Sequence, residues 1–142
     1  MFKHQTAWRV RYAETDRMGY VYYGNYAMYY ETGRVEALRS LGLIYQKLED
    51  DLGVFMPVMS MQCKFIRPCY YDELLSFETS ILEVPDSTIQ FHTDILKEDG
   101  KLANKGVVTL CFVEKESKKR IPVPPFIVDL IKPWIGVDTE SI

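Results

Sequence analysis

Residues 25–42 read Asn25-Tyr26-Ala27-Met28-Tyr29-Tyr30-Glu31-Thr32-Gly33-Arg34-Val35-Glu36-Ala37-Leu38-Arg39-Ser40-Leu41-Gly42. The apolar or small residues Tyr26, Tyr30, Gly33, Ala37 and Leu41 recur at steps of four, three, four and four, the spacing of one helix face. Glu31, Glu36 and Arg39 are left for the rest of the circumference. Asn25 suits an N-cap and Gly42 suits the left-handed position just beyond a helix, so the pattern predicts a helix over Tyr26–Leu41. A shorter helical piece, Tyr45–Leu52, follows ahead of Gly53.

On both sides of this block the period changes to two. Upstream, Trp8, Val10 and Tyr12 alternate with Arg9 and Arg11, which predicts a half-buried strand over Ala7–Glu14. Downstream, four strands are expected: Val54–Arg67, interrupted by Pro57; Leu74–Val84; Thr88–Lys97, with Ile89, Phe91, Thr93 and Ile95 on one face; and Leu102–Glu114. The turn Glu98-Asp99-Gly100-Lys101 makes a hairpin of the last two. A short helix over Phe126–Ile131 closes the pattern. One long helix among five strands excludes a doubly wound α/β protein. The expected class is α+β, with a five-stranded antiparallel sheet wrapped around the helix, so that the apolar stripe of the helix and the apolar face of the sheet cover each other.

The 142 residues, 47% hydrophobic and 26% charged, fit one globular domain over residues 1–142. A net charge of -3 gives no global support for binding nucleic acid. The longest apolar run, Val107–Val113 broken by Thr109, is far below the ~20 residues of a membrane-spanning helix. Met1–Thr6 has no signal-peptide character, so a cytoplasmic protein is expected. Cys63, Cys69 and Cys111 contain no Cys-x-x-Cys spacing, which points to reduced thiols and no structural zinc.

Standard catalytic motifs are missing, and the two histidines, His4 on the N-terminal tail and His92 in a strand, have no nearby Ser or Cys in the sequence. The notable segment is Tyr12–Tyr26, which joins the first strand to the long helix. It carries Asp16 close to a helix N-terminus, where backbone N–H groups without intrahelical partners can hold an oxyanion. Asp16 could activate a nucleophile at the same carbon, or simply cap a Gly-containing turn. Residue types alone leave both readings open.

The stretch YAETDRMGYVYYGNYAMYYETGRVEALRSLG, residues 12–42, resembles the signature of acyl-CoA thioesterases of the 4-hydroxybenzoyl-CoA thioesterase-like type, including the branch linked to the Tol-Pal system. PVMSMQCKFIRPCYYDELLSFETSI and GVVTLCFVEKESKKRIPVP resemble the same family's later strands. The resemblance implies the hot-dog fold and hydrolysis of an acyl-CoA thioester. It puts the catalytic carboxylate on Asp16 and the oxyanion-binding backbone N–H on Tyr23, with the Gly24 N–H as the second choice. It sets Glu31 near the acyl pocket. It also implies homodimers, or dimers of dimers as homotetramers, in which Met59 and Met61 of a neighbour's Met59–Phe65 strand complete each site. Coenzyme A is then part of the substrate, and no separate cofactor or metal is called for. Its phosphates need cations, for which Lys64 and Arg67, or the cluster Lys115, Lys118, Lys119 and Arg120, are candidates. The aromatic residues Tyr22, Tyr26, Tyr29, Tyr30 and Phe65 could line a sizeable pocket or fill the core.

A lone carboxylate suffices chemically, because a thiolate with a pKa near ~8.5 leaves without being protonated. Two other readings are a hot-dog hydratase or dehydratase, which lacks an obvious His base here, and a non-catalytic acyl-CoA-binding module, which would not need Asp16.

Overall fold

A computed structural model describes residues 1–136. The strands are β1 (Phe2–Arg9), β2 (Val54–Phe55), β3 (Val58–Phe65), β4 (Leu74–Ile81), β5 (Thr88–Leu96), β6 (Leu102–Glu114) and β7 (Arg120–Ile121). The helices are α1 (Tyr26–Ser40), α2 (Tyr45–Asp50) and α3 (Pro125–Ile131), with 3-10 turns at Tyr12–Glu14, Tyr23–Asn25 and Lys132–Trp134. The five long strands form an antiparallel sheet in the order β1–β4–β5–β6–β3, and two-residue β2 and β7 add to the far end of β6. Helix α1 packs against the sheet, chiefly on β1 and β4. The architecture is the hot-dog arrangement, α+β with one long helix covered by a curved sheet.

The first strand begins earlier than the alternation of Trp8, Val10 and Tyr12 predicts. All of Phe2–Arg9 pairs with β4, from Phe2 opposite Ile81 to Arg9 opposite Leu74. His4 is therefore a strand residue and not part of a tail. Beyond Arg9 the chain turns away: Val10 exchanges backbone bonds with Glu73 and Asp72 (3.0 Å each), and Tyr12 stands 77% exposed, edge-on to Tyr71. Pro57, unable to donate to a ladder, divides the expected Val54–Arg67 strand into β2 and β3. The ladder of β3 ends at Phe65, where Ile66 and Arg67 both donate to Ala103 O (3.0 and 2.9 Å). Strands β4 and β5 stop at Ile81 and Leu96, short of the expected Val84 and Lys97.

Helix α1 ends as its sequence anticipates. Gly42 adopts φ +91°, and Leu43 N–H donates to Leu38 O at 2.9 Å, the closure that a left-handed glycine permits. Its start differs. Asn25 has helical dihedrals and does not cap the helix with its side chain; its Nδ2 donates to Glu14 O instead (2.8 Å). A 3-10 turn, Tyr23–Asn25, takes the place of a cap.

Two close approaches seat α1 on the sheet. The ring of Tyr30 lies against Gly106 of β6, where any Cβ would strike it, and the Tyr30 hydroxyl lies within hydrogen-bond reach of Asn104 Oδ1 and Cys63 Sγ. One turn along, Gly33 faces Thr79 of β4 so closely that a Cβ would lie 2.5 Å from Thr79 Oγ1. Around these points Tyr29, Leu38, Phe77, Phe91 and Phe112 are fully buried, each contributing roughly 1.5–3 kcal/mol by leaving water.

Two outcomes follow from this core. Gly33→Ala should cost about 1–3 kcal/mol through overpacking, read as a fall of several degrees in Tm. Thr79 Oγ1 is buried with no hydrogen-bond partner among the described residues, so adding Thr79→Ala to Gly33→Ala should restore part of the loss. Strictly additive losses would contradict the contact. The second outcome concerns the hydroxyls of Tyr26, Tyr29 and Tyr30. Burial first, then the neighbouring Cys69, Glu14 and Cys63 respectively, holds them well above their ordinary value of 10.0. Below that value both states keep these protons; above it only the unfolded chain releases them, so stability present at neutral pH is lost as pH rises. The urea midpoint should fall between about pH 9 and about pH 11, and less steeply in Tyr26→Phe. Equal slopes in the two proteins would exclude Tyr26 as a contributor.

Candidate active site

Between the 3-10 turn at Tyr12–Glu14 and the one at Tyr23–Asn25 the chain folds into a small hairpin. Tyr22 N–H donates to Glu14 O (2.9 Å), Thr15 and Val21 form a bridge, and Asp16 N–H donates to Tyr20 O (2.9 Å). Gly19 N–H returns to Asp16 O (3.0 Å), with Gly19 at φ +88°, a conformation that suits glycine. The second arm is held in turn by Val21 N–H on Cys69 O (2.7 Å) and a Tyr20–Tyr70 bridge. Asp16 is thus fixed at the hairpin tip, half-buried, with Oδ1 accepting Met18 N–H at 2.9 Å. The turn-capping contact and a position facing a cleft coexist in this one residue.

At the foot of the hairpin, Asn25 N–H closes on Tyr22 O (2.9 Å) and Tyr26 N–H on Tyr23 O. The amides of Tyr23 and Gly24, first in the turn, have no acceptor within it. They extend the positive N-terminal end of α1. A cleft of about 470 Å³ is bounded by Asp16 and Met18 from the hairpin, Tyr23 and Tyr26 from the start of α1, and Phe65 and Arg67 from the end of β3. Arg67 is steadied by donating to Leu102 O (2.6 Å). Tyr26 and Phe65 meet edge to face at 5.4 Å, forming the aromatic floor.

The structure therefore brings Asp16, Tyr23, Tyr26, Phe65 and Arg67 together and leaves other candidates apart. Glu31 is exposed on α1, 4.0 Å from Arg34 of the same helix. Lys64 lies on the opposite face of the sheet, in a shallow depression of about 490 Å³ that it shares with Lys3, Glu78, His92 and Lys105. Met59 and Met61 are exposed on β3 and do not line the cleft. Phe65, from the strand expected to reach the site from a neighbour, lines the cleft of its own chain. Lys118 sits over the Phe55 ring (5.2 Å), so the Lys115–Arg120 cluster belongs to the β6–β7 turn and not to this cleft. Tyr29 and Tyr30 are core; Tyr22 is exposed and packs on Tyr23 with ring centres 4.8 Å apart.

One residue was not singled out in the sequence. Glu14, expected at the end of a strand, is buried, and its Oε1 accepts from Trp8 Nε1 (3.1 Å), Arg11 N–H (3.1 Å) and Tyr29 O–H (2.9 Å). The available clue was a glutamate set between two aromatic residues with polar handles, Trp8 and Tyr29. Among the described residues no group of three or more His, Cys, Asp or Glu side chains is arranged to hold a metal ion. No helix among them is long and apolar enough to cross a membrane.

Residues 10–131 match the family described as the thioesterase-like superfamily, and the chain belongs to it. It is 30% identical over 103 residues to the acyl-CoA thioesterase YbgC of Haemophilus influenzae, an alignment covering 72% of this chain and 76% of that protein. It is 29% identical over 120 residues to the acyl-CoA thioester hydrolase YbgC of Escherichia coli O157:H7, covering 84% and 89%. Among solved structures it is similar to a DHNA-CoA thioesterase from Staphylococcus aureus, with a TM-score of 0.91, 26% identity, and coverage of 100% of this chain and 97% of that one.

Proposed function

We propose that the protein hydrolyses an acyl-CoA thioester to free coenzyme A and a carboxylic acid. The observation that carries this reading is a cleft lined by both Asp16 and Tyr23, at the start of the turn that leads into α1. With the thioester carbonyl oxygen on the Tyr23 N–H, and the Gly24 N–H as the secondary donor, negative charge developing on that oxygen is stabilised by fixed dipoles. Asp16 acts on the carbonyl carbon in one of two roles. As nucleophile, its oxygen bonds to that carbon, the C–S bond breaks, and water then cleaves the resulting mixed anhydride. As general base, it takes a proton from the water that attacks. Both routes release coenzyme A as a thiolate and need no acid to protonate it. Arg67 at the cleft is the cation best placed for a phosphate of the coenzyme, whereas Lys64 would have to act across the sheet.

His4 and His92 lie in β1 and β5, away from the described residues that line the cleft, which counts against hydratase or dehydratase chemistry. The Thr15–Tyr26 motif is what supports placing the chain in the Tol-Pal-associated branch. We further propose that two copies associate through β3, the outermost strand on its side of the sheet, which among the described residues pairs only with β6 and exposes Val58, Met59 and Met61. A second β3 would continue the sheet, cover those side chains and bring a neighbour's Met59 and Met61 toward the site.

Asp16→Asn keeps an oxygen for Met18 N–H and should leave the fold and Tm unchanged while lowering kcat by ~10² or more. Acyl-CoA hydrolysis at the wild-type rate by that variant would refute the mechanism, and a wild type that binds acyl-CoA without hydrolysing it would favour the binding module. In sedimentation at micromolar concentration the protein should run as a dimer or larger. A fully active species of 16.6 kDa would show that one chain holds the complete site.

A further inference from the structure

Glu14 does more than occupy the core. Its carboxylate gathers donors from three separate elements on a single oxygen: the indole of Trp8 in β1, the backbone of Arg11 in the following loop, and the hydroxyl of Tyr29 in α1. Its main-chain oxygen receives two more, from Tyr22 N–H (2.9 Å) and from Asn25 Nδ2 (2.8 Å). The first set fixes where residue 14 sits between strand and helix. The second fixes what hangs from it: the base of the hairpin that carries Asp16 two residues on, and the turn that presents the Tyr23 and Gly24 amides.

We infer that Glu14 is a positioning residue that sets the separation between Asp16 and the Tyr23 amide. It does not line the cleft, and neither do Trp8, Arg11 and Tyr29, the residues that donate to its side chain, so its carboxylate acts through these contacts and not on the substrate. The bonds from Trp8 and Tyr29 are made by side chains locked in the core: Trp8 stacks on Phe77 at 6.1 Å, and Tyr29 packs against the same ring at 5.0 Å. The alignment of the two halves of the site is thereby referred to the rigid helix–sheet interface and does not depend on the loop alone. Positioning of this kind matters because catalysis by a carboxylate and an amide dipole requires both at one carbonyl, and a displacement of about 1 Å can cost up to 10²-fold in rate.

The role rests on the thioesterase reading, and the test separates the two. In Glu14→Ala, measured well below its Tm, kcat for acyl-CoA hydrolysis should fall ~30-fold with KM within about twofold, since binding surfaces are untouched while alignment is lost. Glu14→Gln retains an oxygen for the three donors and should return to within about threefold of wild type. Amide hydrogen exchange at Tyr22 should rise in Glu14→Ala and not in Glu14→Gln. If Glu14→Ala does not fold, Tyr29→Phe serves: it removes one donor, keeps the ring stack, and should lower kcat about fivefold at constant KM. A wild-type kcat per folded molecule in Tyr29→Phe and in a folded Glu14→Ala, with lowered Tm only, would reduce Glu14 to a structural part and overturn the inference. Unchanged exchange at Tyr22 in Glu14→Ala would overturn it even if the wild type proved to hydrolyse no thioester.

Discussion

The contact of Tyr30 with Gly106 fixes the spacing on which the rest of the molecule depends. A helix usually stands off a sheet by the thickness of a side-chain layer. Here β6 offers bare backbone beneath a tyrosine ring, and α1 offers Gly33 above Thr79, so helix and sheet approach at two points along the same axis. With the axis of α1 pinned, its N-terminal end has one place to emerge: beside the finish of β3, where Phe65 meets Tyr26. The cleft is the wedge left where helix and sheet stop together.

Two acids two residues apart then take on different characters through their surroundings. Glu14 is enclosed, and the cost of burying its carboxylate is offset by three convergent donors. Asp16 accepts one backbone N–H, from Met18, among the described residues and borders an aromatic cleft. One carboxylate spends its hydrogen-bonding capacity on holding elements together, and the other keeps capacity for a ligand. Sequence distance alone would not separate them; what does is which side of the Thr15–Val21 bridge each one lies on.

Much of this was legible in the chain. The period of α1, its glycine stop, and the hydrophobic alternation of β5 and β6 are local signals, and each was matched by the structure to within a residue or so. β1 was displaced because its inward positions include His4 and Thr6, which are polar, while Val10 and Tyr12 continue the same parity after the strand has ended. Asn25 looked like a cap because the competing acceptor, Glu14 O, lies far back in the chain. Asp16 stood out in its motif and does reach the cleft. Its neighbour Arg67 arrives there only through β3–β6 pairing, a long-range contact. Lys64, grouped with Arg67 in the sequence, falls on the other face because it alternates along β3 with Phe65, which faces the cleft, whereas Arg67 lies beyond the end of that strand.

In the proposed mechanism the half of the site that polarises the carbonyl is an amide, and every residue but proline has one. Substitution at position 23 can therefore be almost unconstrained in side chain without loss of that dipole, so long as the turn persists. The tyrosine ring there, 68% exposed, is free to be exchanged for whatever suits a different acyl group. A hydrolase built this way can drift toward new thioesters by altering the wall of its cleft while the atoms that speed the reaction stay encoded in the course of the backbone.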